Sequence, residues 1–362
     1  MERLTHRILS GMLAASLGGA TACNDATAPS DPDLEILFLS SVLRHDSLVF
    51  SAQDLLLTSI DGRRVRNLTR SLASDQSPDW SPDGSRVVFV RESSQRDLYM
   101  LDADGGGLVT LTDDAEPESD PVWSPDGSRV AFARTDTYWD SVDTDIYIVY
   151  PDAGSLPWQV TSRPGDDEAP TWSPDGSRIA FTCSAGTRRD DPDHLCVVNA
   201  DRSGLDTLVA DTLYRPAPAW SPDGSRIAFR CPDAEYDNGD ISSIRYYLCL
   251  VGVEDSAVQR FPDVELDAPQ WSPDGSRILY AHAEDVWVMD PGTAEAVNLT
   301  EDFDAWSSQP DWSPDGRQVV FVGYHRWARH LYVQSATDSS GATRQLITPI
   351  EAAAPQWRPG RR

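Results

Sequence analysis

There is no lysine in this chain: all 30 of its Lys-or-Arg positions are arginine, against 58 Asp and Glu, for a formal charge of −28. An acidic balance this strong repels phosphate and argues against a nucleic-acid binder, and it equally disfavours polyanionic glycans unless a metal intervenes. The exclusive use of Arg reflects genome composition or a salty habitat rather than mechanism. Long apolar runs are missing too, and Ile8–Leu17 is too short to stay in a bilayer as a permanent anchor. No Gly-x-Ser-x-Gly occurs, which excludes the nucleophile elbow of a serine hydrolase. Nor do the five cysteines show the close paired spacing of a tetrahedral zinc site.

What the chain has in excess is one pentapeptide. Trp-Ser-Pro-Asp-Gly occurs six times, beginning at Trp80, Trp123, Trp172, Trp220, Trp271 and Trp312, with Trp357-Arg358-Pro359-Gly360 as a decayed seventh copy. The steps are 43, 49, 48, 51, 41 and 45 residues, the period of a four-stranded propeller blade. Each unit is too small to bury its own faces, so the ring must close for any of it to be stable. Residues 34–360 are therefore expected to form one all-β propeller domain.

One unit shows the grammar. Pro78-Asp79-Trp80 ends an inner strand, and Ser81-Pro82-Asp83-Gly84 supplies a turn, with Pro fixing φ and Gly accepting a left-handed conformation. Arg86–Val90 is a second strand, Asp97–Leu101 a third, and a fourth ends at Thr110-Leu111-Thr112. A Pro stands two residues before every Trp, at 78, 121, 170, 218, 269, 310 and 355. The N-terminal unit has strands at Ile36–Ser40 or Leu48–Phe50, then Asp54–Thr58 and Asn67–Thr69, but no pentapeptide strand of its own. Ala354–Trp357 is an inner strand with no blade to follow. Pairing the two predicts seven four-stranded blades, closed by the C-terminal strand completing the N-terminal blade. Six blades with a ragged N-terminal extension is the alternative.

The repeat Pro-x-Trp-Ser-Pro-Asp-Gly-Ser-Arg-Ile-Ala-Phe, followed by Asp-Ile-Tyr and Leu-Thr, resembles the WD-like repeat of TolB-type propellers. The resemblance covers about residues 50–360 and implies the propeller fold. TolB has a further N-terminal domain, for which Cys23 to Leu34 leaves no room. The resemblance is to the propeller part only, and TolB's partners are not implied.

Residues 1–23 read as a signal peptide: Arg3 and Arg7, the apolar run, then Gly18–Ala22 before Cys23. A Cys directly after small residues resembles a bacterial lipobox, which would make Cys23 the lipidated first residue of the mature protein. Ala20 stands where that pattern commonly has Leu, and ordinary cleavage near Ala22 is the alternative. Residues 24–33 are polar and Pro-containing and read as a flexible tether. The remaining cysteines match between consecutive units: Cys183 and Cys231 lie on second strands, Cys196 and Cys249 on third strands. Neighbouring antiparallel strands put such residues within disulfide reach, predicting Cys183–Cys196 and Cys231–Cys249.

Ser81, Asp83 and their equivalents recur around the ring, so they are turn-formers rather than catalytic groups. The links between second and third strands vary instead, and they emerge with the inter-blade links on one face. That loop face carries Tyr138, Trp139 and Asp140, with Asp143 and Asp145; His194; Tyr236 and Asp237; Trp306; and Tyr324, His325 and Trp327, with His330. The inter-blade links add further acids, among them Glu118 and Asp167. Aromatics in acidic loops suit a binding face. The expected function is a non-enzymatic cell-envelope lipoprotein, monomeric, binding a protein or peptide partner, without cofactor or metal. The alternatives are a glycan-binding propeller, or a lyase or glycosidase acting on a polysaccharide. His194, His282, His325 and His330 would serve a metal-assisted lyase.

Overall fold

The computed structural model describes residues 34–41, 52–138, 141–184, 186, 192–210, 212, 217–237, 240–265, 268–303, 305–325, 328–337, 343–346 and 351–360. The expected signal peptide, the lipobox-like Cys23, the tether and Leu48–Phe50 lie outside the described residues.

Seven four-stranded antiparallel sheets follow one another along the chain. Blade 1 is the composite one. Its second strand, Glu35–Ser41, pairs on one side with Gln53–Ser59 and on the other with the C-terminal strand Glu351–Trp357. Ile36 stands opposite Trp357 and Ser41 opposite Glu351, so the first of the two N-terminal strand candidates is the one used. Blades 2 to 7 each run from inner to outer strand in chain order, from Ser74–Trp80 in blade 2 to Trp306–Trp312 in blade 7. The six-bladed alternative does not hold.

The second strands explain why the ring must close. They are apolar at successive positions, and side chains alternate between the two sheet faces. In blade 1, Ile36 and Phe38 pack against Val320 and Leu331 of blade 7, while Leu37 and Leu39 pack against Val87 and Phe89 of blade 2. The same division recurs at every blade junction, giving seven core clusters, each shared by two neighbours. A lone blade would leave both apolar faces in water.

The pentapeptide is a self-contained turn. Ser81 Oγ donates to Asp83 Oδ1 at 2.7 Å and accepts from Arg86 N at 2.9 Å, and Ser85 N donates to the same carboxylate at 3.0 Å. Gly84 takes φ 65°, which only glycine adopts freely. These bonds hold Asp83 down to about 2, and Asp126, Asp175, Asp223 and Asp274 behave alike. The Trp that opens each turn is covered by an Arg of the preceding blade: Arg86 on Trp123, Arg129 on Trp172, Arg178 on Trp220, Arg226 on Trp271 and Arg277 on Trp312. Arg358 covers Trp80 across the seam. Blade 7 breaks the series, with Gln318 at the Arg position.

Both disulfides form as paired, with Cα–Cα separations of 5.9 Å for Cys183–Cys196 and 5.8 Å for Cys231–Cys249. They are diagonal rather than directly opposed, since Cys183 faces His194 and Cys196 faces Phe181.

The acidic links need correction. Glu118 and Asp167 belong to inner strands and are 1 % and 0 % exposed, and Asp145, in the strand Ser141–Val149, is 3 % exposed. Polar bonding draws them inward. Thr112 Oγ1 accepts from Leu98 N at 2.8 Å and donates to Glu118 Oε2 at 3.0 Å. Thr161 makes the same bridge from Ile146 N to Asp145, and Asp167 accepts from Arg163 at 3.3 Å. Burial pushes Glu118 up to about 8 and Asp167 to about 7, against these bonds.

Candidate functional site

Unequal hairpins shape the loop face. In blade 5 the second and third strands, Arg226–Asp237 and Asp240–Gly252, pair from Arg226↔Gly252 out to Asp237↔Asp240. In blade 6 the corresponding strands, Ile278–His282 and Asp285–Met289, have five residues each. They turn through Ala283 and Glu284 at φ 50° and 74°, the two left-handed positions of a tight hairpin turn. Blade 5 therefore projects as an arm beside a low blade 6, and blade 7 rises again on the far side.

A cleft of about 580 Å³ lies over blade 6. Its floor is Ala281, His282, Ala283 and Glu284, one wall is Ile244, Arg245 and Tyr246 from the arm, and the other is Trp306, Ser307, Ser308 and Tyr324. Ser307 N donates to Glu284 O at 2.6 Å, tying the blade 7 wall to the floor. Trp306, which opens the inner strand of blade 7, is 61 % exposed, and Ile244 is 38 % exposed. Arg329 covers the Tyr324 ring at 5.2 Å and Arg230 covers Tyr246 at 4.8 Å. This is an amphipathic, aromatic-walled cleft open to solvent.

At the opposite end of the axis a second cavity of about 400 Å³ gathers Asp79, Gln270, Asp311 and Gln356 from four blades. Asp79 accepts from Trp123 N and Asp311 from Trp357 N, both at 2.7 Å. Their carboxylates keep some surface on the channel, yet the surrounding protein desolvates them and pushes both to about 7. They brace the blade junctions rather than form a loop-face site.

Of the expected site residues, Trp306 and Tyr324 meet in the cleft, and His282 lies on its floor. Tyr138, Tyr236 and Asp237 lie near hairpin tips of blades 3 and 5 by their backbones. Trp139, Asp140 and Trp327 lie outside the described residues. His194 is in the third strand of blade 4, and His325 ends the second strand of blade 7. His330 is not a loop residue but a buried strand residue, 8 % exposed and edge-on to Tyr332. The four histidines thus stand on three blades, and among the described residues no three His, Cys, Asp or Glu side chains gather as metal ligands. Sequence alone does not single out Ile244, Tyr246 and Glu284. Their signal is the contrast between a long second-to-third-strand connection in blade 5 and a short one in blade 6.

A family model, the TolB beta propeller domain, matches residues 85–235. No curated protein matches the chain. Among solved structures, TolB from Acinetobacter baumannii is 19 % identical with a TM-score of 0.53, covering 86 % of this chain and 81 % of that one. A puromycin-hydrolyzing peptidase of Mycobacterium tuberculosis is 16 % identical with a TM-score of 0.67, covering 88 % of this chain. The match takes in only 52 % of the peptidase. An oligogalacturonate lyase in complex with manganese is 16 % identical with a TM-score of 0.60, covering 85 % and 84 % of the two chains. At these identities the likeness is one of fold, which non-enzymes and enzymes share. The bonded Ser–Asp turn of residues 85–235 recurs at Ser272 and Ser313 beyond the matched stretch. The chain is a seven-bladed β-propeller, of which residues 85–235 match the TolB beta propeller model.

Proposed function

We propose that this is an exported, lipid-anchored, non-enzymatic protein of the cell envelope that binds a protein or peptide partner in the cleft over blade 6. The observation that carries the reading is the indole of Trp306, exposed beside Tyr324, Tyr246 and Ile244 on a fixed scaffold. Aromatic side chains with few rotors, half-desolvated before binding, are the usual anchors of such interfaces. The test is in-cell crosslinking and co-purification of the wild type beside Trp306→Ala. A discrete protein enriched with the wild type should be missing with the variant, at unchanged melting temperature. Equal recoveries would overturn the reading. The indole also suits a neutral sugar, and glycan binding lost with Trp306→Ala, without protein capture, would replace the peptide reading.

Export is supported by the two disulfides, which persist in oxidising compartments. Anchoring rests on the residues around Cys23. The wild type should fractionate with membranes and Cys23→Ser should be released as soluble protein. Identical fractionation of the two would remove the anchor.

A further inference from the structure

Blades 1, 3 and 6 hold the Asp near the head of the third strand in one way. A Thr from the end of the blade donates its hydroxyl to one carboxylate oxygen: Thr69 to Asp54 at 3.4 Å, Thr161 to Asp145 at 3.1 Å and Thr300 to Asp285 at 2.8 Å. The Asn or Gln two residues before that Thr donates to the other oxygen: Asn67 and Gln159 at 2.7 Å, Asn298 at 2.9 Å. Blade 2 departs from both. Thr110 stands at the Asn or Gln position, and Thr112 gives its hydroxyl to Glu118 of blade 3 instead of to Asp97.

Glu118 departs from its own template as well. At the matching inner-strand position Asp75 accepts from Arg91 at 2.7 and 3.2 Å, and Asp167 accepts from Arg163 at 3.3 Å. Arg134 stands opposite Glu118 but donates to Asp136 at 2.9 Å and Asp114 at 3.0 Å. Asp97 Oδ1 and Glu118 Oε1 are left buried without a hydrogen-bond partner, in residues 8 % and 1 % exposed. The two acids meet at Thr112, whose Oγ1 also accepts from Leu98 N, next in the chain to Asp97, at 2.8 Å. Buried polar groups with no partner are costly and call for an explanation.

We propose that a calcium ion binds between Asp97 and Glu118, cross-linking the third strand of blade 2 to the inner strand of blade 3. Donors that are all oxygen suit calcium and not a thiophilic or imidazole-seeking metal. Asp113 and Asp114 lie exposed, and their charge acts on Asp97, so they draw the ion in. Among the described residues no third His, Cys, Asp or Glu joins as a ligand. Water therefore fills much of the shell, and the dissociation constant falls near ~1 mM, as in extracellular calcium modules. Binding ionises Glu118, so the site fills better at pH 8 than at pH 5. It is distinct from the cleft over blade 6 and from the axial cavity of Asp79 and Asp311.

The test is the melting temperature of the full chain at pH 8, freed of metal by a chelator, in CaCl2 against NaCl of equal ionic strength. About 10 mM CaCl2 should raise the folding equilibrium about tenfold, and the melting temperature by about 2 °C. Asp97→Asn and Glu118→Gln keep the shape of the site and remove one charge each, so both should lose the rise. Asp104→Asn, in an exposed turn of the same blade, should keep it. A rise kept in full by either site variant would place the ion elsewhere on the acidic surface and overturn the proposal. No rise in the wild type, or an equal rise in MgCl2, would overturn it too.

Discussion

Deleting residues 351–362 should leave the protein without a cooperative unfolding transition. The strand removed does more than complete one sheet. Trp357 is 4 % exposed in the core shared by blades 7 and 1, and its backbone N–H is held by Asp311 of blade 7. Gln356 donates to Pro78 O and Arg358 to Gly84 O, both at 2.7 Å, so the strand also ties blade 2. Arg358 further pairs with Glu35 of blade 1 and stacks on Trp80. Loss of one buried Trp alone costs about 3–5 kcal/mol. Here two core clusters open as well, and a strand edge is bared, against a total stability of about 5–15 kcal/mol for a domain. Near-ultraviolet circular dichroism of the truncated chain should show no fixed aromatic environment and no sigmoidal melt. A truncated chain melting within a few degrees of the wild type would mean that the ring does not depend on this closure.

Stability should fall as pH rises from about 5 to 8, the reverse of the usual behaviour of carboxylate-rich proteins. Glu118 and Asp167 are almost fully buried, and desolvation lifts them to about 8 and about 7 in the folded chain. An acid whose folded pKa is raised binds more protons folded than unfolded. Its contribution is complete below the unfolded pKa near 4 and is lost as pH climbs through the folded one. Mutual repulsion among excess acids acts in the same direction. Each tenfold difference in proton affinity between the folded and unfolded chain corresponds to about 1.4 kcal/mol. The raised positions of Glu118 and Asp167 already include the attraction of Arg134 and Arg163, and the two acids together correspond to about 6 kcal/mol between pH 5 and 8. That corresponds to a melting temperature about 5–10 °C higher at pH 5 than at pH 8. The turn aspartates are depressed to about 2, so they stabilise above about 4 and lose that contribution only in stronger acid. Glu118→Gln should lessen the fall between pH 5 and 8 without abolishing it, because Asp167, Asp79 and Asp311, all raised to about 7, titrate in the same window. A profile rising toward pH 8, or unchanged by that substitution, would contradict the account.

The fold was legible because it is written in turns and periodicity. Trp-Ser-Pro-Asp-Gly encodes its own hydrogen bonds, the matching cysteines encode adjacent strands, and the orphan Ala354–Trp357 encodes the closure. The site was only partly legible. Trp306 and Tyr324 stood out as aromatics among acids, but nothing local in Ile244 or Glu284 marks them, because a cleft is a difference in height between neighbouring blades. The acids misled for a related reason. Glu118, Asp145 and Asp167 look like solvated charge in one dimension, and only the threonine bridges and the axial position of the inner strands show why they are buried.

The most direct test of the cleft is a photo-crosslinking amino acid placed at position 306 and, separately, at position 104. Asp104 is exposed in a third-to-fourth-strand turn, on the face opposite the cleft. Irradiated in cells, the probe at 306 should trap one discrete partner and the probe at 104 should trap none. A partner trapped from 104 and not from 306 would place the binding face on the wrong end of the propeller.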